Sequence, residues 1–381
     1  MQKNQPMKVV LAIDSLKGSL SSIQAGNAAR EGILNAHPDA KVIVRPLADG
    51  GEGTTDALIE GMGAQKVEVT VTGPLYTPVN AYYGILPGTQ TAVMEMASAA
   101  GITLMPDEEK NPLTATTRGV GEMIKDAMEK GCRDFIIGIG GSATNDGGIG
   151  MLKALGISFF DADGKETLEG AQALSQVASI DVSGKLPELS DCRFRIACDV
   201  TNPLCGENGA TYIYGSQKGV TDEMKPVLDA AMGQYAEVTK KTIGKDFSCY
   251  EGAGAAGGLG FAFLSFLGAE LTPGVDLILD AIQFADDVKD ADVVVTGEGR
   301  MDAQTAMGKA PVGVAKLAKK YGAKVVAFAG SVTLDASACN QAGIDAFFPI
   351  VRGVTTLKEA MEPDNAYTNM KACAEQVFRL L

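Results

Sequence analysis

DFIIGIGGSATNDGGIG (134–150) runs from a short apolar strand pattern into a loop of glycines and small polar groups, then into a helix predicted to begin near Gly147. A strand that empties through a flexible turn into a helix is the unit from which parallel sheets are built. The loop offers a row of peptide N–H groups at a helix start, an arrangement that receives anions. The competing reading is a tight turn in which Asn145 and Asp146 cap the helix.

The same alternation extends along most of the 381 residues. KVVLAID (8–14) reads as a buried strand, and Ser21-Ser22-Ile23-Gln24 as a capping box opening a helix to about Leu34. Strand patterns follow at 41–47, 91–97, 193–200, 291–297, 324–330 and 345–350, with an antiparallel pair around 67–86. Helices are predicted near 54–62, 118–131, 222–242, 254–267 and 309–322, where Pro311 occupies the first turn, and at the C-terminus. The fold class is therefore α/β with mostly parallel sheets, and the length suits two domains. Strand after strand ends in a Gly-rich polar turn, and open α/β sheets bind ligands beyond those carboxyl ends. Several such turns predict a large polar cleft.

Composition narrows the function. A formal charge of −14 excludes a nucleic-acid or anionic-membrane surface as the expectation, since phosphate backbones need clustered Lys and Arg. The apolar run near the N-terminus is too short for a signal peptide or a membrane span. Seven cysteines without a CxxC pair read as free thiols, so a cytoplasmic setting is expected. The single histidine, His37, rules out a multi-histidine metal site and leaves a Ser-His-Asp triad only one place to use.

Standard nucleotide motifs are missing. At Gly308-Lys309 a Walker A loop would need a glycine where Ala303 stands and a hydroxyl where Ala310 stands. Gly138-Ile139-Gly140-Gly141 fits GxGxxG only loosely, with Ala143 at the final position. The residue types of phosphoryl transfer are nonetheless concentrated in GEGRMDAQTAMGK (297–309), which carries Glu298, Arg300, Asp302 and Lys309. Asp14 with Lys17, and Asp49 in ADGGEG, suit cation or hydroxyl binding, with capping as the alternative. In NPLTATTRG, Thr116, Thr117 and Arg118 could meet an anion at a helix start. Asp199 and Asn202 end a strand in ACDVTNP, where a carboxylate suits a general base or an Asx-turn equally.

Seven blocks in order, DSLKGS (14–19), PLADGGEGT (46–54), NPLTATTRGVGE (111–122), GIGGSATNDGG (138–148), ACDVTNPLCG (197–206), GAGAAGGLG (252–260) and TGEGRMDAQTAMGKAPVGVAK (296–316), resemble the bacterial glycerate kinase family, first class. Leu16, Met301 and Ala303 vary the pattern without removing a charged group. The resemblance implies ATP-dependent, Mg²⁺-assisted phosphorylation of D-glycerate by two α/β domains with the active-site cleft between them. One, flavodoxin-like and discontinuous, is expected at 1–80 and 280–381; the other, inserted at 81–279, carries GIGGSATNDGG and ACDVTNP. Joined with the residue reading, it makes Asp199 the expected base and Asp302 its runner-up, with Asp14, Asp49 and Glu298 holding Mg²⁺. Lys17, Arg300 and Lys309 would clamp phosphate or carboxylate, while Gly140, Gly141, Ser142, Thr144, Asn145, Asp146, Thr116, Thr117, Arg118 and Asn202 would line the ligand. The expected product is 2-phosphoglycerate, with 3-phosphoglycerate as the alternative. An NAD-dependent oxidoreductase and a non-catalytic sensor of small acids are the rival readings; oligomeric state is left open, a homo-oligomer included.

Overall fold

A computed structural model of the protein describes residues 6–381. The chain divides into two compact units. The first comprises the chain up to Asp49, then Asp56–Gly63 and Val275–Leu381; the second comprises Gly50–Thr55 and Ala64–Gly274. These limits differ from the expected crossings near 80 and 280. Strand Gln65–Thr72 pairs along its whole length with Pro78–Ile85, so the hairpin belongs to one unit and the crossing comes before it.

In the first unit, five strands form an all-parallel sheet. They are Lys8–Ile13, Lys41–Pro46, Val293–Met301, Lys324–Val332 and Ala346–Pro349. Numbered within the sheet in chain order, they lie 2-1-3-4-5, the flavodoxin-like arrangement, whose switch point falls between the first strand and the third. Both faces are covered, which is why residues 9–13 form an unbroken apolar run. Helix Ser22–Ala36 packs against helix Pro363–Phe378 so closely that a Cβ on Gly32 would lie 2.1 Å from the Lys371 carbonyl oxygen. The predicted capping box forms: Ser21 Oγ accepts the Gln24 amide at 3.2 Å, and Gln24 Oε1 accepts the Ser21 amide at 2.9 Å. His37 is held by the same helix pair, its Nε2 2.7 Å from the Phe378 carbonyl oxygen.

One strand runs further than its glycines suggest. The pattern predicts an end at Gly297, yet pairing continues through Arg300 with Ser331 and Met301 with Val332. Gly297 permits this, because a Cβ there would sit 1.9 Å from the Phe328 carbonyl oxygen of the neighbouring strand.

The second unit is built on a six-stranded sheet. Glu270–Thr272, Arg193–Ala197, Asp134–Gly138 and Thr91–Glu95 run parallel, followed by the antiparallel Pro78–Ile85 and Gln65–Thr72. Its core includes stacked Phe135 and Phe194, with ring centroids 4.9 Å apart, and Tyr235 edge-on to Phe261. A small hairpin, Ser158–Phe160 with Ser179–Asp181, has strands too short for a periodicity signal. All seven cysteines are free thiols. No helix among the described residues is long and apolar enough to cross a membrane.

Candidate active site

Beyond the carboxyl ends of the first unit's strands lies a cavity of about 600 Å³. Asp14, Lys17, Asp49, Glu298, Arg300 and Lys309 line it, so six of the expected charged residues come together. Asp14 is buried where the first strand stops, and the Ser15 amide donates to its Oδ1 at 2.7 Å. Burial, then repulsion from Asp49, pushes its carboxyl up to about 7, against the opposing pull of the Ser15 amide and Lys17. Glu298, accepting Thr305 Oγ1 at 2.5 Å, is also raised, chiefly by burial.

Asp302 sits behind this group. Its Oδ1 accepts the amides of Gln304 at 2.9 Å and Thr305 at 3.3 Å, shaping the turn. Arg300 Nε and Lys309 Nζ lie 3.9 and 4.0 Å from its carboxylate oxygens. Both cations are thus at the outer edge of ion-pair range from Asp302.

A separate cavity of about 230 Å³ lies in the second unit. Gly140, Gly141, Ser142 and Asp199 line it. The loop is pinned from behind: Ile102 donates its amide to the Gly141 carbonyl at 2.8 Å, and Ala143 donates to Ala100 at 2.9 Å. Asp199 is exposed, with Oδ1 accepting the Gly274 amide at 2.9 Å. Ala256, also on the cavity, has a left-handed backbone (φ 53°, ψ 40°) at the start of helix Ala255–Leu267.

Lys218 is the residue that sequence reasoning missed. It lines this cavity at 1% exposure and donates to Ser142 Oγ at 2.6 Å and to the Thr144 carbonyl at 2.7 Å. Burial pushes its ammonium down to about 7, with Asp146 opposing the shift. Within GSQKG no periodicity marks it, and only the fold brings it to the loop.

Other expected ligand residues hold the unit together. Asp146 is fully buried and accepts the Thr117 amide and hydroxyl at 2.9 and 2.8 Å and the Gly148 and Gly150 amides at 3.0 and 3.3 Å. Gly148 has φ 77°, and a Cβ there would meet Ala262 at 2.4 Å, so the turn requires glycine. The anion that Arg118 meets is Glu169 of this same chain, which Arg118 Nε reaches at 2.9 Å and Thr116 Oγ1 at 2.7 Å. Asn202 braces its own loop, donating to the Asn208 carbonyl and accepting the Tyr214 hydroxyl at 2.6 Å. Thr144 and Asn145 are fully buried behind the loop, where Asn145 Nδ2 donates to Thr211 Oγ1 at 3.0 Å.

A model of the glycerate kinase family matches residues 9–381. The chain belongs to this family. It is similar to the glycerate kinase of Bacillus subtilis (strain 168), 48% identical over 366 residues covering 96% of each chain. Likeness to the glycerate 2-kinase of Escherichia coli (strain K12) is 47% over 375 residues, 98% of each. A crystal structure assigned to glycerate kinase 2 of Salmonella typhimurium LT2 superposes with a TM-score of 0.91 at 44% identity, covering 98% of both chains. Like that glycerate kinase structure, the chain has the α/β fold read from its strand and helix alternation.

Proposed function

We propose that the protein transfers the γ-phosphoryl group of ATP to the 2-hydroxyl of D-glycerate, giving ADP and 2-phosphoglycerate. The near full-length likeness to a relative named glycerate 2-kinase carries this reading. The glycerate oxygen attacks the γ-phosphorus, the bridging P–O bond to the β-phosphate breaks, and ADP leaves with the bond's electron pair. The Asp199 carboxylate, exposed on the second unit's cavity, accepts the hydroxyl proton. Gly140, Gly141 and Ser142 line the same cavity and hold the small acid, with Lys218 fixing Ser142 and the Thr144 carbonyl. Lys17, Arg300 and Lys309 clamp the nucleotide phosphates, and Asp302 positions the latter two.

The donor chemistry fits Mg²⁺. Asp14, Asp49 and Glu298 are all oxygen donors on one cavity, and after burial the like charges of Asp49 and Glu298 contribute to raising Asp14. Among the described residues no three His, Cys, Asp or Glu groups cage an ion by themselves. Mg²⁺ does not need that, since it binds through one or two carboxylates with waters and phosphate oxygens. Bound there, it would neutralise charge on the transferring phosphoryl group.

Phosphorus NMR of the product tests the reading. Incubation with D-glycerate, ATP and Mg²⁺ should yield ADP and a phosphate signal split by the single proton of C2. Splitting by two protons would assign the 3-hydroxyl instead, and an absence of ADP would remove the kinase reading altogether.

A further inference from the structure

The cavity in the first unit has two unlike walls. One carries the charged residues; the other is aliphatic, formed by Leu16, Ile350, Val351, Leu357, Ala360 and Met361. Leu16 follows the first strand, Ile350 and Val351 follow the fifth, and the remaining three belong to helix Leu357–Met361. A capping box fixes that helix, with Thr356 Oγ1 accepting the Glu359 amide at 3.2 Å and Glu359 Oε2 accepting the Thr356 amide at 3.1 Å. Its C-terminal side is tied down by Asn365 Nδ2, which donates to the Glu359 carbonyl at 2.9 Å. A Cβ on Gly18 would meet Met361 Cε at 3.0 Å, so this side chain lies directly over the loop that carries Asp14 and Lys17. Leu357 is 76% exposed, an aliphatic side chain left in water at the cavity's edge.

We infer that this aliphatic wall takes the purine base of the nucleotide whose phosphates face Lys17, Arg300 and Lys309. The assignment rests on the kinase reading for the identity of the nucleotide. Glycerate carries an oxygen on every carbon and has no face to lay on six aliphatic residues. It would also leave most of about 600 Å³ unfilled. A nucleoside triphosphate has one apolar, flat end and one polyanionic end, matching the two walls in kind. The cavity borders the sheet's switch point, where doubly wound folds receive such ligands. Met361 adds a polarizable thioether that adapts to a ring face.

Titration calorimetry on the full chain, with ATP and inorganic tripolyphosphate as probes, tests the base assignment. Leu357→Asn alters an exposed position without adding charge, so folding is not at risk, and Ala360→Trp fills the wall. Both should raise the ATP Kd at least fivefold, while the tripolyphosphate Kd and the D-glycerate KM stay within twofold. Unchanged ATP binding in both variants would overturn the inference, as would equal losses for ATP and tripolyphosphate. Failure of the kinase reading is distinguishable: the wild-type chain would then form no phosphoglycerate, whatever the calorimetry gave.

Discussion

Lys218 and Asp199 border the same cavity, yet their chemistry differs in a way that can be measured. Asp199→Asn removes an acceptor without changing shape, so kcat should fall by about 10²–10⁴ with KM for D-glycerate little changed. Wild-type kcat in a folded variant would exclude Asp199 as the base. Lys218 acts through the loop, so Lys218→Met should raise the D-glycerate KM about tenfold or more as Ser142 and Thr144 lose their donor. Its ammonium is pushed down to about 7 in the folded chain and titrates near 10.4 when unfolded. Between those values the unfolded chain binds a proton that the folded chain lacks, so unfolding takes one up and stability rises with pH. Below about 7 both states are protonated and the contribution is flat at its most unfavourable. Urea unfolding of wild type and Lys218→Met should therefore diverge from pH 7.5 to 9.5 in favour of wild type, by at most about 1.4 kcal/mol per pH unit. A constant difference would show that Lys218 stays charged throughout.

Among the elements, helix Ala255–Leu267 begins with Ala256, Gly257 and Gly258 all in left-handed geometry. A Cβ on Gly257 would lie 2.1 Å from the Thr144 carbonyl oxygen, so the strained turn packs directly against the glycine loop. Left-handed backbone costs a non-glycine residue roughly 1–2 kcal/mol, partly offset by glycine's greater freedom when unfolded. Ala256→Gly should thus stabilise by about 0.5–1 kcal/mol, read as a higher urea midpoint with unchanged slope; a lower midpoint would mean that the methyl's packing outweighs the strain. This strain is invisible in GAGAAGGLG, where the glycines announce a turn but not which alanine shares it. Other contacts also come from residues far along the chain. In NPLTATTRG, Arg118 pairs with Glu169, some fifty residues away in sequence. In GEGRM the glycines read as a turn, while pairing with Ser331 and Val332 keeps the segment in the sheet. What was legible locally, the apolar strand runs, the Ser21 capping box and the polar turns at strand ends, is what depends on neighbours in sequence. Long-range pairing decided the rest.

For the whole molecule, each unit carries its own core and its own cavity. The two ligand assignments therefore predict separate footprints. A ligand that binds only the native state stabilises it by RT ln(1 + [L]/Kd), about 2.7 kcal/mol at one hundred times Kd. Amides that exchange by openings disrupting a cavity should then slow by roughly a hundredfold when that cavity is filled. With ATP and Mg²⁺, hydrogen exchange should slow in residues 14–19, 297–309 and 350–361, all from the first unit. D-glycerate should slow residues 139–144, 197–200 and 214–218, all from the second. Exchanged footprints would place the nucleotide on the glycine loop and return GIGGSATNDGG to a phosphate-binding role. A D-glycerate footprint on residues 350–361 would contradict the mismatch between a fully polar acid and an aliphatic wall. Removing Mg²⁺ with a chelator should weaken the ATP footprint and leave the D-glycerate footprint in place, because the carboxylates suited to the ion line only the first cavity.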